Sequence, residues 1–175
     1  YPNDIIQSMK DGSSPEHYNN TNWRKLVLND WAPQQKHTIR LTGGSDVSNF
    51  YVSLGHIDQN SLYKSDNHWM KRTNFRVQNS TNLKDLGITI NTAIDGYYQK
   101  NTHPNTSSAN GYYQVFSHIN DLSPLRPGVN KYGLPYDLAD NPVSETASDA
   151  GYNTTTNNVI NGKGEIIWDL EKFGL

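Results

Sequence analysis

Three observations predict an all-β protein built as an antiparallel up-and-down β-meander. Apolar residues recur with a period of two in five separate runs, turn-forming residues stand between the runs, and the connections alternate between short and long. The first 33 residues precede this pattern. They are turn-rich and aromatic, punctuated by Asp11-Gly-Ser-Ser-Pro15 and Tyr18-Asn-Asn-Thr-Asn-Trp23, with a short helical turn expected around Trp23 to Trp31.

The first strand is expected over Gln34 to Gly43, where His37, Ile39 and Leu41 share one face and Thr38, Arg40 and Thr42 the other. Gly43 to Ser48 supplies a brief turn, and Asn49 to Asp58 alternates again, with Phe50, Val52 and Leu54 opposed to Tyr51, Ser53 and Gly55. A longer polar connection, Asn60 to His68, leads to a third strand over Trp69 to Thr81. There Thr73, Phe75 and Val77 face away from Arg72, Asn74, Arg76 and Gln78. The short turn Asn82-Leu-Lys-Asp-Leu-Gly87 opens a fourth strand in which Ile88, Ile90, Ile94 and Tyr98 stand against Thr89, Asn91, Asp95 and Gln99.

From Lys100 to Gly164 the chain is dominated by Asn, Ser, Thr, Gly, Pro and Tyr, far longer than ordinary loops in compact domains. One short amphipathic helix is expected inside it, since Tyr112, Val115, Phe116, Ile119 and Leu122 recur at helical spacing and Pro124 stops the pattern. Glu165 to Leu170 alternates once more and gives the fifth strand. The segment Trp168 to Leu175 then reads as a strand running into a tight turn, as if a hairpin had lost its second arm. Neither a basic leader nor a cleavage site opens the chain, so either the mature chain starts here or the sequence is an excerpt; the unfinished hairpin at the other end favours an excerpt. The organisation expected is therefore a loop segment over 1–33, four strands within 34–99, a long loop over 100–164, and a strand with the start of a turn over 165–175.

Composition narrows the setting. Only 34 % of residues are hydrophobic and the mean hydropathy is -0.80, with no apolar run approaching the roughly 18 residues a spanning helix needs, so a helical membrane protein is excluded. A transmembrane barrel passes the same test, because its strands are about ten residues long and show lipid only one face. Connection parity points the same way: short turns follow the first, third and fifth strands and long ones the second and fourth, as periplasmic turns and extracellular loops do. Arg40, Arg72, Arg76 and Asp95 line up opposite apolar residues, as where one face meets lipid and the other a hydrated lumen. By the same parity Trp168 and Tyr98 fall with the lipid-facing residues and suit an aromatic girdle at the membrane interface, whereas Tyr97 shares the parity of Asp95. Trp69 and Phe173 also sit at strand ends, the register of Trp69 being open.

The residues then become familiar. Asn22-Trp23, followed by Gln35-Lys-His-Thr-Ile-Arg-Leu-Thr-Gly-Gly44 and Phe50-Tyr-Val-Ser-Leu-Gly55, resembles a signature of the SusC/RagA-type TonB-linked outer-membrane transporters. Asp58-Gln59, Lys71-Arg-Thr-Asn-Phe-Arg76 and Asn82-Leu-Lys-Asp-Leu-Gly87 look like that family's next two strands and their periplasmic turn. The resemblance covers roughly Trp23 to Lys100 and extends more loosely to Asn141-Pro142, Asn158 to Gly164 and Trp168-Asp169. It departs from the family at His56, often Tyr or Leu, and at Asn60-Ser61, where a Gly is usual.

The resemblance implies a fragment of a barrel of about 22 strands around a plugged lumen. It also implies import of oligosaccharides or peptides across the outer membrane of a Gram-negative bacterium, with a SusD-type lipoprotein as a lid over the extracellular mouth. The plug, the segment that engages the TonB complex and most of the barrel are expected to lie outside this sequence. In that frame Tyr112, Tyr113, Tyr132, Tyr136 and Tyr152 are candidates to stack on sugar rings, the alternative being that they pack locally and pin the loop. The arginines either meet substrate or plug, or form lumen-wall salt bridges with acidic plug groups.

Other chemistry is sparse. The absence of cysteine rules out disulfides, thiolate metal sites and a cysteine nucleophile. The six histidines, His17, His37, His56, His68, His103 and His118, show no metal-ligand spacing, and there is no nucleophile elbow or phosphate-cradling glycine loop. No cofactor is implied, nothing brings two of the seventeen carboxylates together, and an enzyme is not expected. A net charge of -2 with mixed signs offers no basic stripe, which argues against nucleic acid. Asn79-Ser-Thr and Asn153-Thr-Thr match a glycosylation pattern common by chance in an Asn-rich chain. The competing class is a soluble carbohydrate-binding β-sandwich, in which a second sheet would bury the face of Thr73, Phe75, Val77, Ile88, Ile90 and Ile94.

Overall fold

A computed structural model of the chain describes residues 1–14, 19–106, 111–136 and 140–170. Its main element is one five-stranded antiparallel sheet in the order β1-β2-β3-β4-β5, a meander in which each strand pairs with the next in sequence. The strands are β1 (Gln34–Gly44), β2 (Ser48–Asn60), β3 (Trp69–Leu83), β4 (Ile88–Pro104) and β5 (Tyr152–Trp168). Among the described residues four helices accompany them: α1 (Asn3–Asp11), α2 (Trp23–Val27), α3 (Gly111–Asp121) and α4 (Pro142–Thr146). No described helix is long and apolar enough to cross a membrane.

The register follows the alternation in the sequence. Arg40 stands opposite Ser53 and Leu41 opposite Val52, while Arg76 pairs with Asp95 and Val77 with Ile94. Because paired residues of an antiparallel ladder share a face, Arg40 and Ser53 fall together, as do Arg76 and Asp95, while Leu41 with Val52 and Val77 with Ile94 form apolar pairs. Short connections follow β1 and β3; the second is a 3-10 turn, Lys84–Leu86, ended by Gly87 at φ 63, a left-handed conformation that favours glycine. Two further glycines make room for rings on the apolar face. A Cβ on Gly96 would lie 3.1 Å from the Phe75 ring and 2.3 Å from the Val159 carbonyl oxygen, and one on Gly43 would lie 2.7 Å from Phe50.

Two expectations about extent are corrected. The fourth strand runs on to Pro104 rather than ending at Gln99, and the fifth begins at Tyr152 rather than Glu165, so the connection between them spans 105–151 instead of 100–164. Tyr152 to Gly164 carries only Val159 and Ile160 as aliphatic residues, so no hydrophobic alternation marks it; pairing with β4 makes it a strand. Residues 171–175, with the tight turn and Phe173 expected there, lie outside the described residues, as do His17 and Tyr18.

The chain divides into two compact units. One is the sheet proper, 34–59, 70–101 and 155–175; the other gathers 1–33, 60–69 and 102–154. The second unit has its own small core of Trp23 and Val27 from α2, Tyr63 from the β2–β3 connection, and Val115 and Ile119 one turn apart on α3. Leu26, Leu28, Leu122 and Val143 pack around it. Segments expected to be loops thus bury apolar surface together, which explains how such long connections hold a fixed shape.

Local signals account for the helices. Asn22 caps α2 by accepting from the Lys25 N–H at 3.0 Å. Asn141 caps α4 by accepting from Val143 N–H at 3.1 Å, with Pro142 at the first helical position. The helix expected around Tyr112 to Leu122 is α3. Neither α1 nor α4 was expected: α4 is five residues long, and α1 has no buried residue, so neither shows a long apolar stripe. Gly12, at φ 68, closes α1 through its N–H to the Ser8 carbonyl.

Candidate functional site

The sheet unit presents two chemically opposite faces. On one, Arg40, Arg72, Arg76, Asp95 and Tyr97 line an open cavity of about 470 Å³ together with Lys36, Ser53 and Asn74. The Arg72 guanidinium carbon lies 3.9 Å from the centre of the Tyr97 ring, a cation–π contact across the β3–β4 pair. A polar ladder continues toward β5: Ser80 donates to Asn91 (2.7 Å), Asn91 to Glu165 (3.0 Å) and Asn161 to Asp95 (3.2 Å). Among the described residues none of the three arginines makes a direct ion pair, and Asp95, opposite Arg76 on the ladder, is the carboxylate that lines the cavity with them.

The opposite face is apolar and open. Ile39, Leu54, Val77, Ile94, Ile160 and Ile166 all lie exposed on it, Ile160 at 76 % and Ile39 at 73 %. An aqueous monomer rarely shows so continuous an apolar surface. Trp168 and Tyr98 are likewise exposed, and both carry the parity of these isoleucines. Among the described residues, strands β1 and β5 are each paired with a strand on one side only, as edge strands.

The loop tyrosines do not gather at one place. Tyr112 stacks on Tyr63 with ring centres 5.4 Å apart and donates its hydroxyl to the Thr102 carbonyl at 3.3 Å, so its ring pins the second unit's aromatic cluster. Burial pushes the Tyr112 and Tyr63 hydroxyls above the ordinary phenol range. Tyr113 is exposed; with Tyr112, Phe116, Ser117, Asn120 and Asp121 it lines a cavity of about 560 Å³ along α3. Tyr136 lines a separate cavity of about 550 Å³ with Asn19, Asn20, Asn22, Lys25 and Asn130. Tyr132 is exposed beside Lys131, whose ammonium lies 5.3 Å from its ring centre, and Tyr152 is exposed at the start of β5.

Two features escaped sequence reasoning. His68 is 1 % exposed against Tyr63 (ring centres 5.5 Å, edge to face), and neither ring nitrogen reaches a hydrogen-bond partner among the described residues. Burial pushes its pKa below the ordinary imidazole value; the nearby Thr146 backbone works against this and His103 adds to it. The second feature is a juxtaposition of His118, Asp140 and Glu145, in which one potential ligand atom from each lies within 4.8 Å of the others. Residues 27 positions apart meet there, so no local spacing announced it.

A scan against protein-family models finds no match to this chain, and a search of curated proteins finds none either.

Proposed function

We propose that this chain is wall and loop material of a large outer-membrane β-barrel, part of a SusC/RagA-type TonB-dependent transporter that imports oligosaccharides or peptides beneath a SusD-type lipoprotein. The observation that carries the reading is the two-faced sheet: one face of exposed isoleucines bounded by aromatics, the other lined by three arginines and Asp95. Dimensions support it. Asp169 N–H bonds the Gly87 carbonyl at 2.8 Å, so Trp168 stands level with the start of β4, ten residues before Tyr98. At about 3.4 Å per residue and a tilt of roughly 40°, these two aromatics are separated by about 26 Å along a membrane normal, close to the ~25 Å apolar band of such barrels. Among the described residues no strand pairs with the outer edge of β1 or β5, as for a segment continued by further strands.

The sandwich reading requires a second sheet over the isoleucines, and the described residues form one sheet. The test uses the cysteine-free chain. Single cysteines at Ile39, Ile94 and Ile166 on one face, and at Ser53, Ala93 and Gln99 on the other, are labelled with an environment-sensitive probe in the full-length protein in lipid. The first set is expected to be quenched by a lipid-soluble quencher and the second by a water-soluble one. Equal quenching of both sets, or an isoleucine face shielded in a soluble monomer, overturns the proposal.

A further inference from the structure

Beside the C-terminal half of α3 lies a cluster of His118, Asp140 and Glu145 that the transporter reading does not use. His118 Nδ1 stands 2.9 Å from Glu145 Oε2, while its Nε2 stands 3.7 Å from Asp140 Oδ1. The imidazole is thus held by a carboxylate on one nitrogen and faces a second carboxylate with the other. Asp140 and Glu145 bring two negative charges to this ring, and among the described residues neither meets a lysine or arginine. His118 and Glu145 are largely withdrawn from solvent, at 18 % exposure each, whereas Asp140 is open at 58 %.

We propose that His118 Nε2 and Asp140 Oδ1 bind a divalent transition-metal cation such as zinc, with Glu145 as the positioning residue. Zinc lies about 2.0–2.2 Å from nitrogen and carboxylate oxygen ligands, which puts two ligand atoms of a tetrahedron roughly 3.3 Å apart. The 3.7 Å between Nε2 and Oδ1 needs only a small closure to reach that spacing. Glu145 accepts the Nδ1 proton, which fixes the tautomer that leaves Nε2 as the free electron pair; a carboxylate behind a ligating histidine does this in many metal sites. The imidazole favours zinc or cobalt over calcium and magnesium, which prefer all-oxygen sets. The open side at Asp140 leaves the remaining coordination positions to water or to an oxygen-bearing ligand. The cation would tie the 140–145 segment to α3 and neutralise the two carboxylates.

The test titrates the full chain in detergent with zinc, by competition with a chromophoric chelator, and with cobalt, by its visible absorption. One equivalent per chain is expected, lost at least tenfold in affinity in Asp140→Asn and in His118→Gln, with the cobalt spectrum changed in both. Asp140→Asn is the decisive variant because the residue is exposed and the change keeps its shape. Glu145→Gln is expected to weaken binding 10- to 100-fold while leaving the cobalt spectrum of the bound form unchanged, since the ligands stay the same. Binding that Asp140→Asn and His118→Gln leave intact overturns the proposal, as does calcium binding insensitive to His118→Gln. Absence of binding at micromolar zinc also overturns it and leaves the cluster as a histidine–carboxylate ion pair only.

Discussion

Ile94 and Ala93 are neighbours on β4 whose side chains point to opposite faces, and substituting each in turn by arginine gives the sharpest reading of what covers the sheet. Ile94 is half exposed, pairs with Val77, and lies four residues from Tyr98 and six from Ile88. At about 3.4 Å per residue these are roughly 14 and 20 Å along the strand, so Ile94 falls near the middle of the apolar band. Arginine at the lipid midplane of such a barrel costs about 2–4 kcal/mol, while on a hydrated lumen face the cost is small. Were the isoleucine face simply bathed in water, Ile94→Arg would stay within about 0.5 kcal/mol, the usual range for surface changes. The assay is urea-dependent folding of the full-length protein into lipid vesicles, read by heat-modifiable gel mobility. Ile94→Arg is expected to lose about 2–4 kcal/mol and Ala93→Arg less than about 1 kcal/mol. Equal effects at the two positions, or no effect at Ile94, refute the argument from parity.

Other changes follow from close contacts. Gly96→Ala puts a methyl 2.3 Å from the Val159 carbonyl oxygen and should destabilise the β4–β5 pair by about 1–3 kcal/mol in the same folding assay, whereas Gly162→Ala, with open space around it, should be tolerated. Asn141→Ala removes donations to the Gly128 and Tyr136 carbonyls (3.1 and 2.8 Å) along with the α4 cap; a loss of about 1–3 kcal/mol should appear as faster proteolysis within 105–151. His68 has a depressed folded-state pKa, so the unfolded chain takes up the proton first. The stability of the second unit is therefore full above the ordinary imidazole range and falls as pH drops through about 6.5 toward the folded value. Hydrogen exchange of α3 amides between pH 8 and 5, corrected for intrinsic rates, should show this slope, and His68→Phe should flatten it.

The sheet was legible because its information is local. Alternation in Gln34 to Gly43 and in Ile88 to Gln99 sets faces directly, and the face shared by Arg40, Arg72, Arg76 and Asp95 follows from parity alone. The N-terminal half of β5 was not legible, because Thr and Asn residues there carry no apolar period and only the partner strand selects the extended form. The second unit was hidden for a different reason. Its core draws Trp23, Tyr63 and Val115 from three distant stretches; the helix that carries Val115 was expected, but nothing local says that it packs against Trp23 and Tyr63. The same holds for His118 with Asp140 and Glu145, and for the stacking of Tyr112 on Tyr63. The Asn141-Pro142 pair was the one local signal of α4 available, an N-cap followed by proline.

The ties between the ends of that second unit have a consequence during synthesis. Thr21 donates its hydroxyl to the Arg126 carbonyl and Trp23 its indole N–H to the Ser123 carbonyl, spanning 105 and 100 positions. At about 5–20 residues per second, a ribosome delivers Ser123 roughly 5–20 s after Trp23. Throughout that interval Trp23 and Val27 have no α3 to bury against. The nascent chain must therefore carry an exposed aromatic patch for seconds, a window in which a holding chaperone competes directly with α3 for the same surface.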